Sequence, residues 1–359
     1  MRKRRILTSQ ATPGMTIAAD IYTSNNQLII PSGTEITDRV ITRLKFYSIH
    51  QISITVEEEA PQIKYEPIAE PYSSKVKKTP EFKQFNSSLE ESVVDFEQQI
   101  RKVAETGTFE SDVLLQDVKP ILSCARNGSH VFDMLHSLRD SDDETYRHSI
   151  NVALIAYSLG TWLNFSKKDL DTLLLCGLLH DLGKLMIDPK ILRKPSALTA
   201  EEESIMQTHC VRGYNILRSQ NTNIHVQMTA MMHHERCDGS GYPMGLKADQ
   251  IDRFAKVVMI ADVYEAMTAP RVYRGALCPF EVIGIFESEG LTKYDTHYVM
   301  TFLERINHIY LHNNVRLNNK AEGTIVMINP TYLSRPVVQV GEEYIDLSKE
   351  PELYIEAIL

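Results

Sequence analysis

The strongest constraint on the fold is an apolar run that leads directly into a histidine and an aspartate. Leu173 to Leu179 contains no charged side chain, and His180 and Asp181 follow at once. A helix that is apolar nearly all round is buried, and a buried carboxylate without a partner is costly. A cation bound by both residues would remove that cost. The alternative is a buried ion pair between His180 and Asp181.

Other carboxylate and imidazole side chains stand where apolar residues would pack better. On one predicted helix, an acid and a histidine share the inward stripe with three apolar residues: Glu144, His148, Val152, Ile155 and Leu159. A lone inward histidine is more often a hydrogen-bonded core residue than a metal ligand, but this chain has several such residues. We predict that eight residues form a metal-ligand set: Glu144, His148, His180, Asp181, His209, His233, His234 and Asp262.

The composition limits the compartment and the kind of partner. The chain has 359 residues, five cysteines and a formal net charge of −9. The cysteines form no Cys-x-x-Cys pair, which argues against a disulfide framework or a thiolate zinc site and predicts a cytoplasmic protein. The acidity disfavours a nucleic acid polymer as partner, whereas a phosphorylated ligand needs only a local positive site. Without a signal peptide or an apolar window of about 20 residues, we expect no membrane insertion.

The spacing of apolar residues predicts a mainly α-helical protein with small β-rich units at its N- and C-termini. Turn signals separate short apolar runs in residues 1–57, and the proline-rich start of residues 58–88 is typical of a linker. Helical spacing begins at Leu89, and we predict a helical region over 89–318. Residues 319–359 return to short β-type runs. The stripe from Leu89 to Val103 is more often core, but it leaves a homodimer open.

Three motifs resemble the HD-GYP branch of the HD-domain phosphohydrolases, over about residues 140–315. His180 and Asp181, with Lys184, look like the family's His-Asp signature. Residues 233–243 read His-His-Glu-Arg-Cys-Asp-Gly-Ser-Gly-Tyr-Pro and resemble the longer motif that names the subfamily, and Asp262 opens a third similar motif. The resemblance implies an HD-domain helical bundle and a cyclic di-GMP phosphodiesterase.

The resemblance also implies cofactors and substrate contacts. It implies two or three divalent metal ions, with iron or manganese as the metal. Glu144, four residues before His148, is similar to a ligand of the three-metal kind. The residues expected to bind substrate are Gly241, Tyr242, Pro243, Arg271 and Arg274. Tyr242 would lie against a guanine, and the arginines would contact phosphates. Pro270 and Val272, on either side of Arg271, depart from the family's pattern.

The expected reaction is the hydrolysis of cyclic di-GMP to pGpG, GMP or both, through a metal-bridged hydroxide. Asp181 would be both ligand and catalytic residue, while Lys184 would steady the phosphate or the departing ribose oxygen. Two alternatives stay open. The protein could be a cyclic-dinucleotide receptor or scaffold with slow turnover, which the altered surroundings of Arg271 suggest, or a phosphodiesterase for another cyclic dinucleotide.

Overall fold

The computed structural model describes residues 2–22, 28–47, 49–56, 72–138, 145–194, 196–269 and 276–359. The chain divides into two compact units, residues 1–64 with 189–205, and residues 65–188 with 206–359. Most of the chain is helical, and small antiparallel sheets lie near both ends. The predicted fold class is therefore confirmed. Within the described stretches, no helix has both the length and the apolar character that crossing a membrane requires.

The smaller unit is built on a three-stranded antiparallel sheet. Its N-terminal elements are β1 (Arg2–Leu7), β2 (Thr16–Ile17), β3 (Ile21–Tyr22), β4 (Leu28–Ile30), α1 (Asp38–Phe46) and β5 (Gln51–Val56). Strand β5 lies between β1 and β2, and β3 pairs with β4. Alternation along β5 buries Ile52 and Ile54, as expected for a strand with one face on a core. Thr37 caps α1 by accepting a hydrogen bond from the backbone N–H of Val40.

The helices continue from Tyr72 to Tyr310. In chain order they are α2 (Tyr72–Lys77), α3 (Pro80–Thr106), α4 (Ser111–Ser123), α5 (Gly128–Ser137), α6 (Thr145–Trp162), α7 (Lys167–Leu179), α8 (Pro189–Leu192), α9 (Ala200–Gln207), α10 (His209–Ser219), α11 (Ile224–Met232), α12 (Arg253–Thr268), α13 (Pro279–Ile285), α14 (Leu291–Lys293) and α15 (Thr296–Tyr310). A 3-10 segment, Leu182–Met186, follows α7. Helix α8 and most of α9 belong to the smaller unit.

The predicted linker over 58–88 needs a correction, because its described part, from residue 72 onward, is largely helical. Helix α3 begins at Pro80 rather than Leu89. Thr79 accepts a hydrogen bond of 3.2 Å from the backbone N–H of Phe82, and proline suits the first helical turn. The apolar stripe from Phe82 to Val103 is buried in the core of the larger unit. The rest of the predicted domain division stays a prediction.

Helices α6, α7 and α12 form the centre of the larger unit. Helix α6 packs against both α7 and α12, and each of the three carries fully buried side chains such as Leu154, Leu174 and Ile260. Gly183, in the 3-10 segment after α7, closely approaches α10. A Cβ at Gly183 would lie 1.9 Å from the carbonyl oxygen of His209. The end of α7 and the start of α10, where candidate ligands stand, are therefore in direct contact.

A five-stranded antiparallel sheet follows the last helix. Its strands are β6 (Asn314–Leu317), β7 (Glu322–Met327), β8 (Val337–Val340), β9 (Glu343–Asp346) and β10 (Ile355–Ile358), in the order β10-β6-β7-β8-β9. Val315, Ile325 and Val338 are fully buried and belong to the same hydrophobic core as the helices. The sheet begins at Asn314, before the predicted boundary at 319, and it is part of the larger unit.

Candidate metal centre

The structure brings seven of the predicted ligands together in two neighbouring groups. Most of them stand at helix ends, where the chain enters or leaves the bundle, and Asp262 lies within α12. One group contains Asp181, His209, His233 and His234, and the other contains His148, His180 and Asp262. Within each group, one ligand atom per residue lies within 4.8 Å of every other. Glu144 lies outside the described residues.

Asp181 belongs to the first group and also faces the second. Its Oδ1 lies 3.4 Å from Nε2 of His209 and 3.6 Å from Nε2 of His233. Its Oδ2 lies 3.3 Å from Nε2 of His180 and 3.8 Å from Nε2 of His148. The two oxygens of one carboxylate thus face different groups of imidazoles. Such a carboxylate can bind two cations at once.

Three of the imidazole rings are held in the same way. In each, Nδ1 contacts a backbone carbonyl three or four residues earlier: His180 to Gly177 at 2.7 Å, His209 to Met206 at 2.7 Å, and His233 to Thr229 and Ala230 at 3.1 Å. A carbonyl oxygen only accepts hydrogen bonds, so Nδ1 carries the proton. Nε2 then presents a lone pair to the centre, as a metal-binding histidine does.

The donor set fits divalent cations. Nε2 of His180 and Oδ1 of Asp181 are buried, and neither has a hydrogen-bond partner in the described part of the chain. Buried polar atoms nearly always have a partner, and a bound cation would supply one for both atoms. Imidazole nitrogen and carboxylate oxygen without thiolate suit iron, manganese or zinc. The residues present therefore match a centre for more than one metal ion.

The surroundings keep both carboxylates of the centre ionised. Burial alone would raise the pKa of Asp181, but Lys184 and His180 hold that pKa well below its usual value. Nζ of Lys184 lies 2.5 Å from Oδ2 of Asp181. Burial also opposes ionisation of Asp262, yet its hydrogen bond with His148 lowers the pKa of its carboxyl group. Both groups are available as anionic ligands.

The imidazoles of the centre have different proton affinities. Burial lowers the pKa of His209 to about 4, and burial together with His233 holds the pKa of His234 well below its usual value. These rings are neutral, which is the form that binds metal. Burial also acts to lower the pKa of His148, but Glu265 and Asp262 raise it to about 10. The negative charge that holds a proton on His148 also attracts a cation, which displaces protons when it binds.

The loop after His234 is folded around a buried glutamate. Glu235 is 0% exposed, and its carboxylate accepts hydrogen bonds from the backbone N–H groups of Met244 at 2.7 Å and Leu246 at 2.8 Å. A Cβ at Gly241 would lie 2.4 Å from the backbone of Glu235, so only glycine allows this approach. The ring of Tyr242 stacks on that of His234, with centroids 4.7 Å apart. The Gly-Tyr-Pro segment therefore touches the metal centre through Tyr242.

Some predicted residues cannot be compared with the structure, and some that matter were missed. Arg271 and Arg274 lie outside the described residues, like Glu144. Glu235 and Glu265 are absent from the predicted site residues, although Glu265 contacts His148. Each carries a signal in the sequence: Glu235 follows the two adjacent histidines, and Glu265 stands three residues after Asp262 in an otherwise largely apolar helix.

Comparisons with known proteins point to one family. Residues 133–298 match the family model described as HD domain. A cyclic di-GMP phosphodiesterase of Thermotoga maritima is 35% identical over 177 residues, which cover 48% of this chain and 47% of that protein. A 3′3′-cGAMP-specific phosphodiesterase 1 of Vibrio cholerae is 38% identical over 145 residues, covering 40% of this chain and 34% of that protein. The chain therefore spans less than half the length of either relative.

A solved structure has the same fold. Bd1817, an HDG"Y"P protein from Bdellovibrio bacteriovorus, superposes with a TM-score of 0.52 and 15% sequence identity, covering 84% of this chain and 98% of that one. At this identity the likeness concerns the fold alone. The family match, the His180-Asp181 pair and the Gly-Tyr-Pro tripeptide beside His234 lead to one assignment. Residues 133–298 of this chain are an HD domain of the HD-GYP kind.

Proposed function

We propose that the centre hydrolyses a phosphodiester bond of cyclic di-GMP and releases pGpG, GMP or both. The observation that carries this proposal is the place of Asp181, whose two oxygens face two separate groups of ligands. Paired metal ions are a common device for phosphodiester hydrolysis, because they stabilise the attacking and leaving oxygens together. Similarity to known enzymes supports cyclic di-GMP as the substrate, since the Thermotoga maritima relative is a cyclic di-GMP phosphodiesterase.

Bound divalent ions would lower the pKa of a water molecule and would stabilise the negative charge that develops on the phosphate oxygens. The chain's own residues do the rest. Asp181, Asp262 and the five described imidazoles hold the ions, with Glu144 as a proposed further ligand. Lys184 keeps Asp181 ionised, and its side chain is 29% exposed. Its ammonium is the basic group that would steady the phosphate or the departing ribose oxygen.

Substrate contacts are proposed for five residues: Gly241, Tyr242, Pro243, Arg271 and Arg274. One face of the Tyr242 ring lies on His234, and the residue is partly exposed. A guanine stacked on its other face would be held beside the ligand set. Arginines suit the second phosphate because a planar guanidinium can bind two phosphate oxygens.

The remaining properties of the protein are also proposals. Iron or manganese is the proposed metal, since nitrogen and oxygen ligands suit both, and two or three ions would be bound. A cytoplasmic location agrees with the five free cysteines. A homodimer would have to use a surface other than the α3 stripe, which is buried in the core. Light scattering after size-exclusion chromatography measures the oligomeric state.

The test is product analysis with matched variants. Protein purified without oxygen, with iron or manganese, is incubated with cyclic di-GMP, and the products are separated by chromatography. We expect the wild type and Asp169→Ala to release pGpG or GMP, and Asp181→Ala to lose bound metal and activity together. The carboxylate of Asp169 forms an ion pair with the half-exposed Arg253, and such pairs contribute little to stability, so its loss should matter little. Intact substrate in the presence of bound metal would contradict the proposal.

A second substrate, 3′3′-cGAMP, is favoured by one observation. The Vibrio cholerae relative, which is 38% identical, is specific for that dinucleotide. Competition between the two dinucleotides in one reaction gives the ratio of their kcat/KM values directly. A higher value for cyclic di-GMP would support the first proposal. Micromolar binding of either dinucleotide without product would instead identify a receptor.

A further inference from the structure

We infer that Glu265 is a positioning residue for His148, which it orients so that Nε2 faces the metal centre. The inference deepens the proposed function and rests on its metal-binding part. Oε2 of Glu265 forms a hydrogen bond with Nδ1 of His148, and Glu265 is 6% exposed. On the other side of the ring, Nε2 lies 3.2 Å from Oδ1 of Asp262. A proton on Nδ1 leaves the lone pair on Nε2, toward the other ligands.

Both oxygens of Glu265 are engaged from the same helix. Nδ2 of Asn151 donates to Oε1 of Glu265 at 3.2 Å, while His148 contacts Oε2. His148 and Asn151 are three residues apart on α6, and Asp262 and Glu265 are three apart on α12. Residues at this spacing share a helix face. Each helix therefore presents one residue to the metal centre and a second that links the two helices.

The partner of His148 differs from those of the other three rings held through Nδ1. His180, His209 and His233 use neutral backbone carbonyls, whereas His148 uses a carboxylate. A charged acceptor forms a stronger hydrogen bond than a neutral one, and it makes the opposite ring nitrogen a better metal ligand. The group of His148, His180 and Asp262 would gain most, because Asp262 is the sole carboxylate among these three residues.

A purely structural role predicts a different result. If Glu265 only joined α6 to α12, its replacement would lower the free energy of unfolding without a specific effect on metal affinity. Asp133 supplies the matched control. Its carboxylate accepts a hydrogen bond of 2.7 Å from the hydroxyl of Tyr72, and burial raises the pKa of its carboxyl group. Asp133→Asn therefore removes a partly buried charge that contacts none of the ligand set described above.

The test is a titration of the metal-free proteins with Mn²⁺, in which free Mn²⁺ is followed by electron paramagnetic resonance. The wild type should bind at least two ions. Glu265→Gln keeps an oxygen that can accept a hydrogen bond from Nδ1 of His148, but it loses the negative charge. It should weaken the binding of one Mn²⁺ ion about 10- to 100-fold. Glu265→Ala should weaken that ion further, and Asn151→Ala should weaken it less than Glu265→Gln. Asp133→Asn should bind as the wild type does.

Two results would overturn the inference. One is a Mn²⁺ affinity of Glu265→Ala within about twofold of the wild type. The other is an equal loss of affinity in Glu265→Ala and Asp133→Asn, which would indicate a general structural effect. Thermal unfolding of each metal-free variant, followed by circular dichroism, shows that it is folded. The titration contains no substrate, so a protein that binds Mn²⁺ as expected but never hydrolyses a dinucleotide would refute the proposed function alone.

Discussion

At the scale of single residues, Glu235 links the stability of the Gly-Tyr-Pro loop to the metal centre. It adjoins His234, and its buried carboxylate accepts two backbone N–H groups of the loop. We predict that Glu235→Ala lowers the free energy of unfolding by about 1–3 kcal/mol, the cost of buried donors left without an acceptor. Glu235→Gln keeps one acceptor oxygen and should lose less. Urea denaturation measures both, and an equal loss in the two variants would contradict the explanation.

Arg271 allows a second test at the same scale. If it binds the phosphate that is not being hydrolysed, the interaction is the same in the ground state and the transition state. We therefore predict that Arg271→Ala raises KM for cyclic di-GMP at least about 10-fold with little change in kcat. Steady-state kinetics at several substrate concentrations gives both constants. A wild-type KM would show that Arg271 has no such role.

Residue types and spacing predicted seven of the residues that lie together in the described part of the chain, while Glu144 stays a prediction. Asp181 and Asp262 each interrupt or end an apolar helix, and in a buried helix that position is explained by a ligand. The residues that orient the ligands were harder to find. Glu265 stands on the same face of α12 as Asp262, but its partner His148 is 117 positions away in the chain. Only the packing of α6 against α12 reveals that contact.

At the scale of secondary structure elements, the contact between the 3-10 segment and α10 sets the distance between Asp181 and His209. Gly183 makes this contact possible, since a Cβ would lie 2.5 Å from the backbone nitrogen of Gly213 as well as 1.9 Å from the His209 carbonyl oxygen. We predict that Gly183→Ala pushes the two elements apart, costs about 3 kcal/mol and releases metal.

Gly107, which ends α3, is the matched control for Gly183. Its φ of 70° disfavours alanine, but nothing lies within 4 Å of an added Cβ. Gly107→Ala should cost about 1–2 kcal/mol through backbone strain alone and keep its metal. Metal content by mass spectrometry and urea denaturation distinguish the two variants. Full metal content in Gly183→Ala would contradict the prediction.

The start of α3 shows why element boundaries were harder to predict than element types. The stripe that begins at Leu89 predicted a helix, and prolines upstream suggested a linker. Yet Thr79 and Pro80 form an N-terminal cap, and Phe82 and Phe85 continue the stripe. Prolines are common in linkers, but a proline that follows a capping threonine, as Pro80 does, is also favoured in the first turn of a helix. Local chemistry at the cap decided the boundary.

At the scale of the whole molecule, the ligands come from helices spread over the chain from His148 to Asp262, so metal binding should stabilise the helical unit as a whole. An ion present at 1,000 times its Kd adds about 4 kcal/mol, which in a unit of this size raises Tm by about 10 °C. We predict this rise when Mn²⁺ is returned to chelator-treated protein. Circular dichroism at 222 nm follows it, because the larger unit contains most of the helices.

Asp181→Ala provides the control for this shift in Tm. Without the carboxylate that faces both ligand groups, the variant should melt at the same temperature with and without Mn²⁺. A similar rise in both proteins would mean that Mn²⁺ acts elsewhere on the chain. An unchanged Tm in the wild type would mean that the two groups, close as they are, do not hold an ion tightly. The two groups would then bind a divalent cation other than Mn²⁺, and titration with Fe²⁺ or Zn²⁺ under the same conditions would identify it.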